Sequence, residues 1–336
     1  MPKLIDVANY ANVSISTASK ALNNSPEISK ETANRVMKAA RELNYIFDRD
    51  NGRTIGIIAP EAIGNDYSVL VHNIQNILFR SGYLTLIGFS NFSTVEEIKL
   101  MQMFVEKNVD GIIMVRLGSE SSAVELEKLK KKSDIAIIQI VLPTEGNNIA
   151  AVYDGYIVDE EHGIYIALEY LKELGHEKIV FITESLSKSR AGFFLDSAKK
   201  LDLNVSDSDV FMGVERFELG GYLRMKEVLQ RKELPTAVFA SYDNMAIGAM
   251  RAIKEAGLEV PGNISVVGFD AIQAARYLPI SLTTVGVPFE KLAKISAESL
   301  LGRLKTSNLS SIIHVTLKPD LYVRDSTSAI KTMRAK

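Results

Sequence analysis

The sequence predicts an α/β fold in three parts: a head of three short helices, then two successive subdomains, each a doubly wound parallel sheet. Three observations lead there. Over the first 45 residues, apolar side chains recur at spacings of three and four, the signature of helices that bury one face. From Ile55 onward, short apolar runs alternate with helical stretches, which marks parallel strands covered on both faces. That alternation restarts after about residue 150, which implies two sheets with a cleft between them.

The head is legible residue by residue. Leu4, Val7, Ala8 and Ala11 form one face of a first helix. Asn12-Val13 supplies a tight turn, because Asn tolerates the left-handed backbone. Ser14 then caps a second helix, Ile15 to Leu22, in which Ala18, Ala21 and Leu22 face inward while Ser16, Ser19 and Lys20 share the outward face. After a loop at Asn23-Asn24-Ser25-Pro26, Ser29 caps a third helix striped by Ala33, Val36, Met37, Ala40 and Leu43. Two helices joined by a tight turn and braced by a third describe a helix-turn-helix. Small hydroxyls and an ammonium group on an exposed helix suit a DNA major groove. By pattern alone, a plain three-helix cap with a solvated face fits equally well.

The body follows. Strands are expected at Ile55–Pro60, Tyr83–Phe89, Gly111–Val115 and Ile135–Val141, with helices at Tyr67–Ser81, Thr94–Lys107 and Ser121–Lys131. A helix at Asp159–Leu174 opens the second half. Strands at Lys178–Thr183, Asp209–Gly213, Thr236–Ala240 and Ile264–Gly268 alternate there with helices near Ser189–Leu201, Leu219–Gln230 and Asn244–Ala256. A last helix, Phe289 to Leu304, and strands near Ile312 and Leu321 return the chain across both lobes. Ligands of such sheets bind at the carboxyl ends of the strands.

Composition narrows the function. Zero cysteines exclude disulfides, thiolate metal sites and thiol catalysis, and fit a cytoplasmic protein. No apolar run approaches the roughly 20 residues of a membrane-spanning helix. Asp6 interrupts the place where a signal peptide would be apolar, so no export is expected. Residues 1–53 carry eight basic and six acidic side chains, whereas the remainder carries 31 and 35, so a mildly basic head sits on an acidic body. Catalytic signatures are missing: His72, His162, His176 and His314 show no ligand spacing, and neither a dinucleotide loop, a phosphate loop nor a G-x-S-x-G elbow is present. The pairs Glu96-Glu97 and Glu160-Glu161 read as solvated helix starts that suit the helix dipole. No metal and no cofactor is expected.

Several segments together resemble the lactose/galactose repressor family. In the head these are Leu4-Ile5-Asp6-Val7-Ala8, Ala11-Asn12-Val13-Ser14, Thr17-Ala18-Ser19-Lys20-Ala21-Leu22-Asn23, and Ser29 with Thr32 and Val36, closed by Leu43-Asn44-Tyr45. The resemblance implies that Ile15, Ser16 and Lys20 read base edges, and that Ser14, Thr17, Ser19 and Asn23 hold phosphates. It departs at Asn12, usually Gly, and at Lys20, often Arg, whose fork to guanine a lysine cannot reproduce. Only nine residues separate Tyr45 from Ile55, with neither Leu nor Pro among them. The family's hinge helix, with its minor-groove leucine, therefore lacks both length and residue here.

The resemblance continues through Val109-Asp110-Gly111-Ile112-Ile113, Arg190 with Gly192-Phe193, Pro235 to Phe239, Ala246 to Ala249, Ile264 to Asp270 and Leu282-Thr283-Thr284-Val285. It implies two lobes of the periplasmic-binding-protein type, with Arg190 and Asp270 gripping a small-molecule effector. Tyr242 stands where the family often has Asn, and Phe217 offers a second aromatic wall, although each ring reads more readily as core than as a ligand contact. Val115 and Ile140 are apolar where family members can be polar, so the pocket is expected to ask for fewer hydroxyl contacts. The implied layout is a head over residues 1–46, a short linker over 47–54 and an effector and dimerisation domain over 55–326. Its N-lobe covers about 55–154 and 284–311, its C-lobe about 155–283 and 312–326, and 327–336 form a tail. The expected activity is that of a non-enzymatic transcriptional repressor. It would bind a pseudo-palindromic DNA operator as a homodimer and answer to a sugar or sugar derivative. The rival readings are a solute-binding protein, which the head argues against, and a sugar-modifying enzyme, which the missing catalytic motifs argue against.

Overall fold

Helices α1 (Leu4–Tyr10), α2 (Ile15–Leu22) and α3 (Lys30–Glu42) build the first of two units, Met1–Thr54; the second is Ile55–Lys336. The computed structural model describes residues 2–22, 25, 27–43, 54–116, 118–133, 135–141, 149–305 and 311–330. The expectations for Asn23, for the linker up to residue 53 and for the last six residues fall outside them. In the head, Asn12 takes the left-handed conformation (φ 53°) that the turn requires, and Val13 N–H donates back to Ala8 O at 2.9 Å. Ser14 Oγ accepts from Thr17 N at 3.0 Å, and Ser29 Oγ accepts from Thr32 N at 3.2 Å, so both expected caps form. Val7, Ala8, Ala11, Ala18, Ala21, Leu22, Val36, Ala39 and Ala40 make the core. So many alanines let three short helices approach closely enough to close a core in so few residues.

The body holds two six-stranded sheets. Its first half runs β1 (Thr54–Ala59), α4 (Asn65–Arg80), β2 (Leu84–Phe89), α5 (Thr94–Glu106), β3 (Gly111–Arg116), α6 (Glu120–Lys132), β4 (Ala136–Val141) and β5 (Asp154–Val158). Next come α7 (Glu160–Glu173), β6 (Ile179–Glu184), α8 (Lys188–Lys200), β7 (Val210–Gly213), α9 (Phe217–Val228), β8 (Ala237–Ala240), α10 (Asp243–Glu255), β9 (Ser265–Phe269) and β10 (Thr283–Gly286). Helix α11 (Phe289–Lys305), β11 (His314–Leu317) and β12 (Asp320–Tyr322) complete it. The first sheet is ordered β2-β1-β3-β4-β5-β11 and the second β7-β6-β8-β9-β10-β12. Pairing is parallel from β1 through β11 in the first and from β7 through β10 in the second. The edge strand β12 is antiparallel, a departure from the all-parallel expectation.

This topology corrects the expected lobe boundaries. Residues 155–158 and β11 belong to the first lobe, because β5 pairs β4 and β11 pairs β5. Conversely, β10 belongs to the second lobe, paired with β9 and β12. The chain thus passes between lobes three times, at Asp159, at Val287-Pro288 and at Lys318-Pro319. Asp159 N–H donates to Leu317 O at 2.8 Å and ties two of these passages together. The start of the expected tail is also docked: His176 Nε2 lies 3.0 Å from Ser328 O, and Ile330 N–H donates to Leu174 O at 2.9 Å. His176 is therefore a buried packing group, its pKa lowered by burial. Val115 and Ile140 lie in the core of the first lobe and not on the cleft surface, so their apolar character does not bear on the pocket. Among the described residues, no helix is long and apolar enough to cross a membrane, and no cluster of acids and histidines could hold a metal.

Candidate functional site

Between the two lobes lies a cleft lined by the carboxyl ends of their strands, where doubly wound sheets place their ligands. All four effector residues implied by the sequence, Arg190, Phe217, Tyr242 and Asp270, line it. Arg190, on the first turn of α8, points its guanidinium to the floor. Its Nε and Nη2 donate to the two carboxylate oxygens of Glu160 at 3.0 and 2.7 Å, and Nη2 also meets Asp270 Oδ1 at 3.4 Å. Nη1 donates to Ser241 O, and the guanidinium stacks on Phe269, 4.2 Å from the ring centre. Burial pulls its pKa down, but Glu160 and then Asp270 outweigh this, and Arg190 stays firmly cationic.

Glu160 was not recognised from sequence. It looked like half of a solvated acidic pair, yet its side chain is only 8% exposed. The same error applies to Glu97, which is buried against Arg116, itself buried and bonded to Gln139 Oε1 at 2.8 Å. Acids at a helix start suit the dipole in either setting, and only the fold shows which ones turn inward.

Aromatic rings form the walls. Phe217 and Tyr242 meet edge to face at 6.0 Å, and Tyr242 Oη accepts from Phe217 N at 2.9 Å. Burial pushes the Tyr242 hydroxyl up to about 12, so it remains a neutral hydroxyl. From the first lobe, Tyr67 and Phe92 make a matching edge-to-face pair, also at 6.0 Å. Phe92, Phe217, Asp270 and Ala271 all have left-handed backbones (φ 56°, 56°, 97° and 55°). Strain of this kind in non-glycine residues persists only where the surroundings enforce it, and it concentrates at ligand sites. The Asp270–Ala271 turn is enforced by Asp243: its Oδ2 accepts from Ile272 N at 2.8 Å and its Oδ1 from Thr284 Oγ1 at 2.5 Å.

Arg216 joins the lobes. Its Nη1 and Nη2 donate to Glu61 Oε2 and Oε1 at 2.7 and 2.8 Å, a bidentate pair whose hydrogen bonds hold the arginine pKa up. The same guanidinium lies over Phe92 of the first lobe and Phe217 of the second, 5.0 and 4.6 Å from their centres. Free space in the cleft is 60 Å³, far below the roughly 300–1,000 Å³ of ligand pockets, so the lobes here are closed. Sequence reading missed Arg216, Glu61, Tyr67 and Phe92, because nothing local marks residues that come together only when the chain folds around a cleft.

In the head, Ser14, Ile15, Ser16 and Lys20 are exposed and Thr17 and Ser19 half-exposed along one side of α2. Lys20 Nζ lies 2.6 Å from Glu27 Oε2. On the body, exposed apolar side chains gather on the edge strand β2 at Leu84, Leu86, Ile87 and Phe89, beside Val69 of α4.

A helix-turn-helix joined to a two-lobed body that closes on a polar cleft defines a ligand-responsive DNA-binding regulator. Comparison with known proteins agrees. Residues 3–48 match the family described as bacterial regulatory proteins, lacI family, and residues 168–327 match a periplasmic binding protein-like domain. The HTH-type transcriptional repressor PurR of Photorhabdus laumondii is 30% identical over 315 residues, covering 90% of this chain and 91% of that protein. The lac repressor dimer bound to operator and the anti-inducer ONPF superposes with a TM-score of 0.79 at 24% identity, over 98% of this chain and 99% of that one. A LacI family regulator from Enterococcus faecium with bound ribose gives 0.69 at 25% identity, over 83% and 100%. The chain belongs to the lacI family of bacterial regulatory proteins. It is a DNA-binding transcriptional regulator with a periplasmic-binding-protein-like effector domain.

Proposed function

We propose that this regulator is a cytoplasmic repressor without catalytic activity whose effector is a polyhydroxylated small molecule, a sugar or sugar derivative, bound between Arg190, Asp270, Phe217 and Tyr242. The observation that carries the reading is Arg190 held between Glu160 and Asp270 on the floor of a cleft with aromatic walls from both lobes. A fixed guanidinium and carboxylates satisfy several hydroxyls at once, while ring faces pack against the apolar side of a pyranose or furanose. The structural neighbour that carries ribose supports a sugar of this kind. Because Arg216 and Glu61 span the cleft, the effector enters as their pair opens, and its occupancy is coupled to lobe separation. On the DNA side, Ile15, Ser16 and Lys20 read bases while Ser14, Thr17, Ser19 and Asn23 hold phosphates. The edge strand β2 is a natural dimer surface, since pairing covers its exposed apolar side chains.

The test is selection of the preferred operator from random duplexes, followed by gel shifts with a sugar panel on wild type and Arg190→Ala. A sugar that changes operator affinity in wild type but not in Arg190→Ala supports the reading. A response that survives in the variant refutes it.

A further inference from the structure

Glu184 ends β6, so it stands at the carboxyl end of a strand, and its side chain lines the cleft while only 1% exposed. It accepts hydrogen bonds from Leu186 N at 2.7 Å and Ser187 Oγ at 2.8 Å. Those use two of the roughly four acceptor positions of a carboxylate. No cation is bound to it among the described residues. Six charged side chains line the cleft, the carboxylates Glu61, Glu160, Glu184 and Asp270 and the guanidinium groups of Arg190 and Arg216. Arg190 is shared by Glu160 and Asp270, and Arg216 directs both terminal nitrogens to Glu61. The acids exceed the bases by two, and Glu184 is the one with no cation at salt-bridge distance among the described residues, Arg216 acting on it only through space. A buried carboxylate in that position favours an incoming cation and disfavours a second anion.

A second group asks for a different atom. Arg216 Nε is buried without a hydrogen-bond partner among the described residues. It calls for an acceptor, which a hydroxyl or ring oxygen supplies.

Taking the cleft as the effector site, we propose that Glu184 selects an effector bearing a protonated amine, an amino sugar or aminated polyol, and excludes phosphorylated and other acidic sugars. The amine sits against Glu184, a hydroxyl accepts from Arg216 Nε, and further hydroxyls meet Arg190 and Asp270. Hydrogen bonding to Leu186 N would equally suit a carboxylate that only caps the turn before α8. Glu184→Gln separates the two roles, since glutamine keeps an acceptor oxygen for the cap and removes the charge.

The experiment is calorimetry and thermal melting of the full-length protein with glucosamine, galactosamine and mannosamine, their neutral parent hexoses, and the parents' 6-phosphates. Expected in wild type is an amine that binds at least tenfold more tightly than its parent, with no binding of the phosphates. Glu184→Gln should bring the amine down to the level of the parent while leaving the parent's affinity in place. No response to any amine, a phosphate that binds as well as the amine, or an amine advantage that survives in Glu184→Gln would each overturn the proposal. Arg190→Ala distinguishes this failure from failure of the cleft reading. A phosphate whose binding Arg190→Ala abolishes leaves the cleft as the site and the charge assignment wrong. A ligand indifferent to Arg190→Ala places the effector elsewhere.

Discussion

Asp243 offers the sharpest test of how the floor of the cleft is held. It opens α10, is fully buried, and receives Ile272 N and Thr284 Oγ1. Burial pushes its carboxyl up to about 7 from an ordinary value of 3.8, against the lowering effect of those hydrogen bonds and of Arg324 and Arg190. The native state therefore keeps the proton to a higher pH than the unfolded chain does. Stability from this group is complete below the unfolded value of 3.8 and is lost as pH rises to about 7, above which it is flat. At about 1.4 kcal/mol per pH unit, the interval from pH 5 to pH 8 spans about two effective units and removes about 3 kcal/mol. For a unit of this size that corresponds to a melting shift of roughly 5 °C. Asp243→Asn imitates the neutral acid, with an oxygen for Ile272 N and an amide for Thr284 Oγ1, and cannot ionise. Melting curves at pH 5 and pH 8 should show wild type losing stability relative to Asp243→Asn by that amount. Parallel pH profiles for the two proteins would refute the argument, and with it the view that Asp243 holds the Asp270 turn in its neutral form.

Arg216→Gln should loosen the closed cleft, because it strips Glu61 of a bidentate partner and breaks two ring contacts; small-angle scattering should show a larger radius of gyration, and an unchanged radius would count against the closure. Lys20→Ala should weaken operator binding by about 1–3 kcal/mol and relax one base position per half-site. Glu27→Gln should instead strengthen binding a few-fold by releasing Lys20; gel shifts over a salt series check both. Leu86→Glu on the edge strand should convert the dimer to monomer by light scattering and weaken operator binding steeply, since each monomer then carries one head. The short linker between Tyr45 and Ile55 should leave the operator nearly straight in circular-permutation gel shifts, and a sharp central kink would contradict it.

The head was readable from sequence because its information is local. Spacings of three and four, a capping Ser14 and a turn-forming Asn12 all act within one or two helical turns. Strands such as Gly111–Val115 were readable because burial on both faces leaves an uninterrupted apolar run. The strand Asp154–Val158 was not, because it opens with an acid and a glycine: Asp154 is there to receive Arg303 from α11. Arg190 and Asp270 stand out through a resemblance spread along the chain, and both line the cleft. Their partner Glu160 was hidden by the dipole logic that serves buried and exposed helix starts alike. Arg216, Glu61 and Phe92 had no local signature at all. Their role exists only once two lobes face each other, and the three passages that bring this about depend on pairing between strands remote in sequence.

Those three passages also decide when the protein can be assembled during synthesis. The first lobe is begun by residue 54, yet Leu292, Ala293, Ala297 and Leu300 of α11 belong to its core, and β11 is its last strand. A ribosome that has reached residue 286 has delivered nearly all of the second lobe while the first still lacks its closing helix and edge. The nascent first lobe must wait, with the apolar side chains of β1, β3 and β4 incompletely covered, through the translation of roughly 130 intervening residues. At bacterial elongation rates of about 5–20 residues per second, that wait is roughly 7–26 seconds. A premature stop between residues 160 and 305 therefore leaves both lobes incomplete instead of one intact and one missing. Chaperone demand should fall on the N-terminal half of the chain, even though it is made first.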